Sequence, residues 1–89
     1  MHQYSVIESS AGSAVLALRD QDGRCHLGRA AAANAPASGV ELRGEPPALG
    51  LRALRLVDAG APCPVVLVLL DCDPHAAVKL IRAEFDFAP

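Results

Sequence analysis

Apolar positions in the first two-thirds of the chain recur mostly with a period of two, the signature of strands. Tyr4, Val6 and Glu8 alternate with Ser5 and Ile7, which predicts a strand over residues 3–8. Ser9, Ser10, Ala11 and Gly12 read as a turn. Ala14, Leu16 and Leu18 then alternate through a second strand ending at Arg19. Asp20-Gln21-Asp22-Gly23 is the clearest turn signal, because glycine accepts the positive φ that closes a hairpin. Arg24 to Arg29 returns as a third strand, and a short fourth strand is expected over 40–43.

Two segments interrupt this pattern. Residues 30–39 are alanine-rich but contain Pro36 and Gly39, so a connector with one helical turn is expected. Glu45-Pro46-Pro47 is a second break, since proline cannot sit in a central strand. Residues 49–58 fit a helical face through Leu51, Leu54 and Arg55, and a strand through Leu49, Leu51, Ala53 and Val57. Gly50 and the link from Asp58 to Pro62 tip the reading towards strand. Val65 to Asp71 is apolar almost throughout and β-branched at its start, so a strand covered on both faces is expected.

The period changes to 3.6 after Asp73. Asp73 can cap a helix, and Pro74 suits the first helical position, where no N–H donor is needed. Ala77, Val78, Leu80, Ile81 and Phe85 form the expected buried side, and His75, Lys79, Arg82 and Asp86 a polar stripe. Strands followed by one helix predict an α+β domain over residues 1–89. The expected form is a small curved antiparallel sheet or partly open β-barrel of about five strands, with the C-terminal helix packed on it. An α/β two-layer sandwich is the alternative.

Composition narrows the class. The chain has 89 residues, enough for one core and one domain. A net charge of −2 argues against a dedicated nucleic-acid binder. The longest aliphatic run, Val65 to Leu70, is far short of the ~20 residues that span a bilayer. Met1 to Ser5 shows no basic leader pattern, so a cytoplasmic location is expected. Seven of the eight basic residues are arginine and seventeen residues are alanine, as in proteins of GC-rich bacteria. Three cysteines is an odd number, and a closed disulfide framework would leave one thiol over.

Four constellations could carry chemistry. The strand ending in Asp71-Cys72-Asp73 resembles the nucleophile motif of the haloacid dehalogenase-type phosphatases over nine residues, Val65 to Asp73. That resemblance implies attack by Asp71 on phosphorus and proton transfer by Asp73. The family also draws on a downstream Ser or Thr, a Lys and further acids, and Pro74 directly follows here. The plainer reading is that Asp71 ends the strand and Asp73 caps the helix.

Cys72, His75, Cys63 and Cys25 or His26 are the candidate zinc ligands, although no Cys-x2-Cys knuckle is present. Cys25 and His26 are strand neighbours, so their side chains point to opposite faces and only one is expected to turn inward. The plainer reading makes Cys25 and Cys72 small core hydrophobes and the histidines surface residues. Cys72 alone, just before a helix, is a candidate nucleophile, with Asp71 and Asp73 opposing its ionisation. Arginines 19, 24 and 29 with Tyr4, Phe85 and Phe87 are a candidate single-strand nucleic-acid surface, against which stands a charge-balanced solvated one.

No phosphate loop, dinucleotide fingerprint or nucleophile elbow is present. No cofactor and no enzymatic activity are therefore expected, zinc being the one ion the Cys/His set could hold. With 52% hydrophobic residues, the chain carries more apolar side chains than one small core hides. It is expected to be a non-enzymatic interaction module, a homo-oligomer or the partner of another protein. The expected contacts are an edge strand at 40–43 and the helix face of His75, Lys79, Arg82 and Asp86.

Overall fold

The computed structural model describes residues 1–10, 12–31 and 35–86, without the side chains of 84–86. Seven strands precede one helix: β1 (His2–Ser9), β2 (Val15–Asp20), β3 (Cys25–Ala30), β4 (Glu41–Gly44), β5 (Gly50–Arg52), β6 (Leu54–Leu56), β7 (Val65–Cys72) and α1 (Pro74–Asp86). All pairings are antiparallel, in the order β5-β7-β3-β2-β1-β4-β6. The two outer strands of that order, β5 and β6, are consecutive in sequence and separated only by Ala53. One ribbon thus pairs with β7 through Gly50–Arg52 and with β4 through Leu54–Leu56, which nearly closes the sheet into a barrel.

Ala53 marks the crossing. Its N–H donates to a Glu45 carboxylate oxygen at 2.6 Å, and its carbonyl accepts the Glu45 N–H at 3.2 Å. A change of partner strand normally strands backbone groups, and here one acidic residue pairs both. Gly44 lies against the same point, where a Cβ would run into the Ala53 carbonyl. The α+β barrel reading therefore holds. The strand count is seven rather than about five, one of the additional strands coming from residues 49–58, which form two short strands rather than one.

The barrel interior is filled by Tyr4, Val6, Leu16, Leu18, Leu42, Leu54, Cys63, Val65 and Leu67. Tyr4 is anchored there through its hydroxyl, which donates to the Glu45 carbonyl at 2.7 Å; burial pushes its phenol up to about 12. A second cluster lies outside the barrel wall, where Ala77 and Ile81 of α1 pack on Ala17, Cys25 and Leu27. The helix starts as read: the Asp73 carbonyl accepts the Ala77 N–H at 2.9 Å, and Pro74 opens the first turn.

Several expectations change. Strands β2 and β3 carry buried residues on both faces, and Cys25 joins the cluster under α1 while His26 faces the barrel side, so both are buried. Strand β7 is fully buried only at Val65 and Leu67; Val68 and Leu69 are 59% and 50% exposed. Register shifts against β3 give β7 two irregularities, one at Val68 and one near Leu70 and Asp71. Each places an extra residue on β7, so simple alternation fails there. Leu80, expected on the buried helix side, is 51% exposed. Strand β4 is not an edge, since β1 and β6 pair with its two sides. Phe85 and Phe87, and residues 32–34 of the alanine-rich connector, lie outside the described side chains and residues.

Gly44→Ala tests the closure. The added methyl has backbone in its way, so a loss of about 1–3 kcal/mol is expected. Gly23→Ala, facing open space at φ +83°, serves as the comparison for pure backbone strain. Urea midpoints check this; a Gly44→Ala midpoint equal to wild type contradicts the seam.

Candidate functional site

The functional groups gather where the β2–β3 hairpin meets the far end of β7. Asp20 closes β2, and its side chain is fully buried. One carboxylate oxygen, Oδ1, accepts the N–H groups of Asp22 at 2.9 Å and Arg24 at 3.1 Å, which shapes the turn. The other, Oδ2, lies 2.8 Å from His26 Nε2. His26 Nδ1 in turn accepts the Asp71 N–H at 3.2 Å. Because Nδ1 accepts, the proton of the neutral ring sits on Nε2 and is donated to Asp20.

The hairpin register explains why these residues meet. Leu18 pairs with His26, and Asp20 stands two residues beyond Leu18 on the same face. Asp71 adopts φ 55°, the left-handed region, and this releases its N–H from the strand ladder for the imidazole. Its carboxylate then points outward and makes a two-pronged ion pair with the Arg24 guanidinium. That pairing holds the Asp71 carboxyl below its usual range. The carboxylate read as a phosphatase nucleophile thus has an arginine across both oxygens.

Burial by itself raises the Asp20 carboxyl, but the hydrogen bonds from His26 and from the Arg24 and Asp22 N–H groups outweigh it. The net direction is down. Both side chains of the Asp20–His26 pair are 0% exposed, and among the described residues no buried side-chain N or O lacks a partner. An Asp–His pair invites a catalytic reading. This one has no atom that a solute can reach, so it holds the hairpin turn to the β7 irregularity.

The cysteines divide between the two cores. Cys63 lies in the barrel interior, where burial pushes its thiol up. Cys25 and Cys72 are directly paired across β3 and β7, and their sulfurs are 3.4 Å apart beneath α1. His75 and Lys79 are exposed on the helix; Arg82 is exposed and donates to Glu8 Oε2 at 2.8 Å. The Asp86 side chain lies outside the described residues. Among the described residues, the metal-capable grouping of three side chains is His2, Asp20 and Asp22. It draws on none of the cysteines or His75, and the Asp20 oxygens are already engaged.

An apolar flank occupies the other side of β7. Leu51 is 58% exposed and pairs with Val66, which lines a groove of about 620 Å³ together with Val68, Leu27, Leu80 and Ile81. Strand β5 pairs only with Val65 to Leu67 of β7, so the same side of β7 from Val68 onward has no strand partner among the described residues. Sequence reasoning missed this edge, because nothing in Val65 to Leu70 marks where β5 stops. The Asp20–His26 pair was also missed, although the hairpin register carried the signal. Comparison with family models, curated proteins and solved structures finds no match to this chain.

Asp20→Asn tests the buried chain. The amide can still accept at Oδ1, but its NH2 faces the His26 Nε2–H, and a loss of about 1–3 kcal/mol is expected at neutral pH. Asp20 titrates lower in the folded state, so its stabilisation is complete above the unfolded carboxylate pKa near 4 and is lost as pH falls through the folded value. The difference between wild type and Asp20→Asn should therefore shrink on acidification below pH about 4. Denaturation at several pH values checks this; a difference that grows on acidification contradicts it.

Proposed function

We propose that this chain is a small interaction module that associates with a second copy of itself through the open half of β7. One observation carries the reading: beyond Leu67 a strand side with no strand partner among the described residues stands beside exposed Val68 and Leu69. Unpaired strand edges are templates for a further strand, and flanking aliphatic side chains add buried area. Antiparallel pairing of β7 with its counterpart is self-complementary, as a two-fold dimer requires. The Val68–Leu80 groove then receives apolar side chains of the second copy. A net charge of −2 opposes such contact only weakly.

The paired stretch is short. Asp71 ends it with a charge and a left-handed backbone, a common means of limiting strand addition. A dimer in the micromolar to submillimolar range follows rather than an obligate one. Three free cysteines accord with a reducing compartment such as the bacterial cytoplasm. No helix among the described residues is long and apolar enough to cross a membrane.

Sedimentation equilibrium from about 10 μM to about 1 mM tests the reading. Wild type should dimerise, and Val68→Lys and Leu69→Lys should each weaken association at least about tenfold with little change in Tm, since both side chains are half exposed. A wild-type monomer throughout, or a dimer indifferent to both changes, overturns it.

A further inference from the structure

We infer that Cys25 and Cys72 form a reversible dithiol–disulfide site whose oxidant is a low-molecular-weight disulfide. The inference stands on the fold and is independent of self-association. The two residues face each other directly across the β3–β7 pair. Opposed residues in antiparallel strands have Cα atoms about 4.5–5.5 Å apart, inside the window of about 4.4–6.8 Å that a disulfide spans. Their sulfurs are already 3.4 Å apart, so bond formation needs side-chain rotation rather than backbone movement. The buried chain through His26 fixes this register from the next residue on each strand, since His26 follows Cys25 and Asp71 precedes Cys72.

The two thiols differ in access. Cys72 is half-buried at the foot of α1, whereas Cys25 is 2% exposed beneath Ala77 and Ile81. Burial first, and then the contact with Cys72, pushes the Cys25 thiol up to about 12. Cys72 is therefore the sulfur a reagent meets and Cys25 the resolving one. The Cys72 thiolate attacks one sulfur of the small disulfide, forming a mixed disulfide and expelling one small thiolate. The Cys25 sulfur then attacks Cys72, giving up its proton and expelling the second small thiolate. Two protein thiols lose two electrons and two protons, and the small disulfide gains both as two thiols. Cys63, in the other core with no sulfur beside it, takes no part.

The full chain in oxidised glutathione, followed by unfolding in an alkylating agent and mass mapping, tests this. The expected product has lost two hydrogens, links the Cys25 and Cys72 peptides, leaves Cys63 alkylatable and reverts with dithiothreitol. Closing this long loop should raise Tm by at least about 4 °C. Cys25→Ser should trap glutathione on Cys72, and Cys72→Ser should slow modification at least about tenfold. Should either variant fail to fold, the wild-type map decides alone. Three alkylatable thiols after prolonged exposure, a link that includes Cys63, or a link between two chains overturns the inference.

Discussion

The buried hydrogen-bond chain from Asp20 through His26 to the Asp71 N–H is the constraint on which the arrangement at this end of the barrel depends. A lone carboxylate in an apolar barrel is very costly. Here it accepts from two turn amides and one imidazole, and the imidazole passes the connection to a third strand. Turn, β3 and β7 become one unit. The positive φ of Asp71 is tolerated because its freed N–H has that partner. Outside, the Arg24–Asp71 pair spans the same junction; being exposed, it adds little to stability on its own.

That unit sets what comes next in the chain. Cys72 arrives opposite Cys25, and Asp73 and Pro74 start the helix that packs on β1 and β2 and reaches Cys25 and Leu27. Closure at the other side imposes a different limit. The ribbon runs from Gly50 opposite Leu67 to Arg52 opposite Val65 and then turns at Ala53 to β4, so the half of β7 beyond Leu67 lies on the side of the Glu45-Pro46-Pro47 break that precedes β5. The half-strand that lacks a strand partner among the described residues is therefore set by where β5 begins, at Gly50. The helix lies over β1 and β2 and reaches Cys25 and Leu27 of β3, which leaves Val68 and Leu69 half exposed.

Local signals in the residues were sufficient for local structure. The Asp20–Gly23 turn, the break at Glu45-Pro46-Pro47 and the Asp73-Pro74 helix start each depend on neighbours within a few positions, and each appears where expected. What required the whole fold was not legible. Residues 49–58 carry strand character, but only the competition between β4 and β7 splits them in two. The β7 irregularities arise from matching β3, so Val65 to Leu70 reads as uniformly apolar while its second half is exposed. Cys25 and Cys72 are 47 positions apart and meet only through β3–β7 pairing. His26 reads as a surface residue because alternation gives Cys25 the inward position; both are buried because α1 covers the outer face at Cys25.

Long-range proton–nitrogen NMR of the His26 ring, combined with hydrogen exchange at the Asp71 amide, tests the central claim most directly. The account predicts a proton on Nε2, a bare Nδ1, and an Asp71 amide protected although it lies outside the strand ladder. A proton on Nδ1, or an Asp71 amide exchanging like those of open loops, would contradict it.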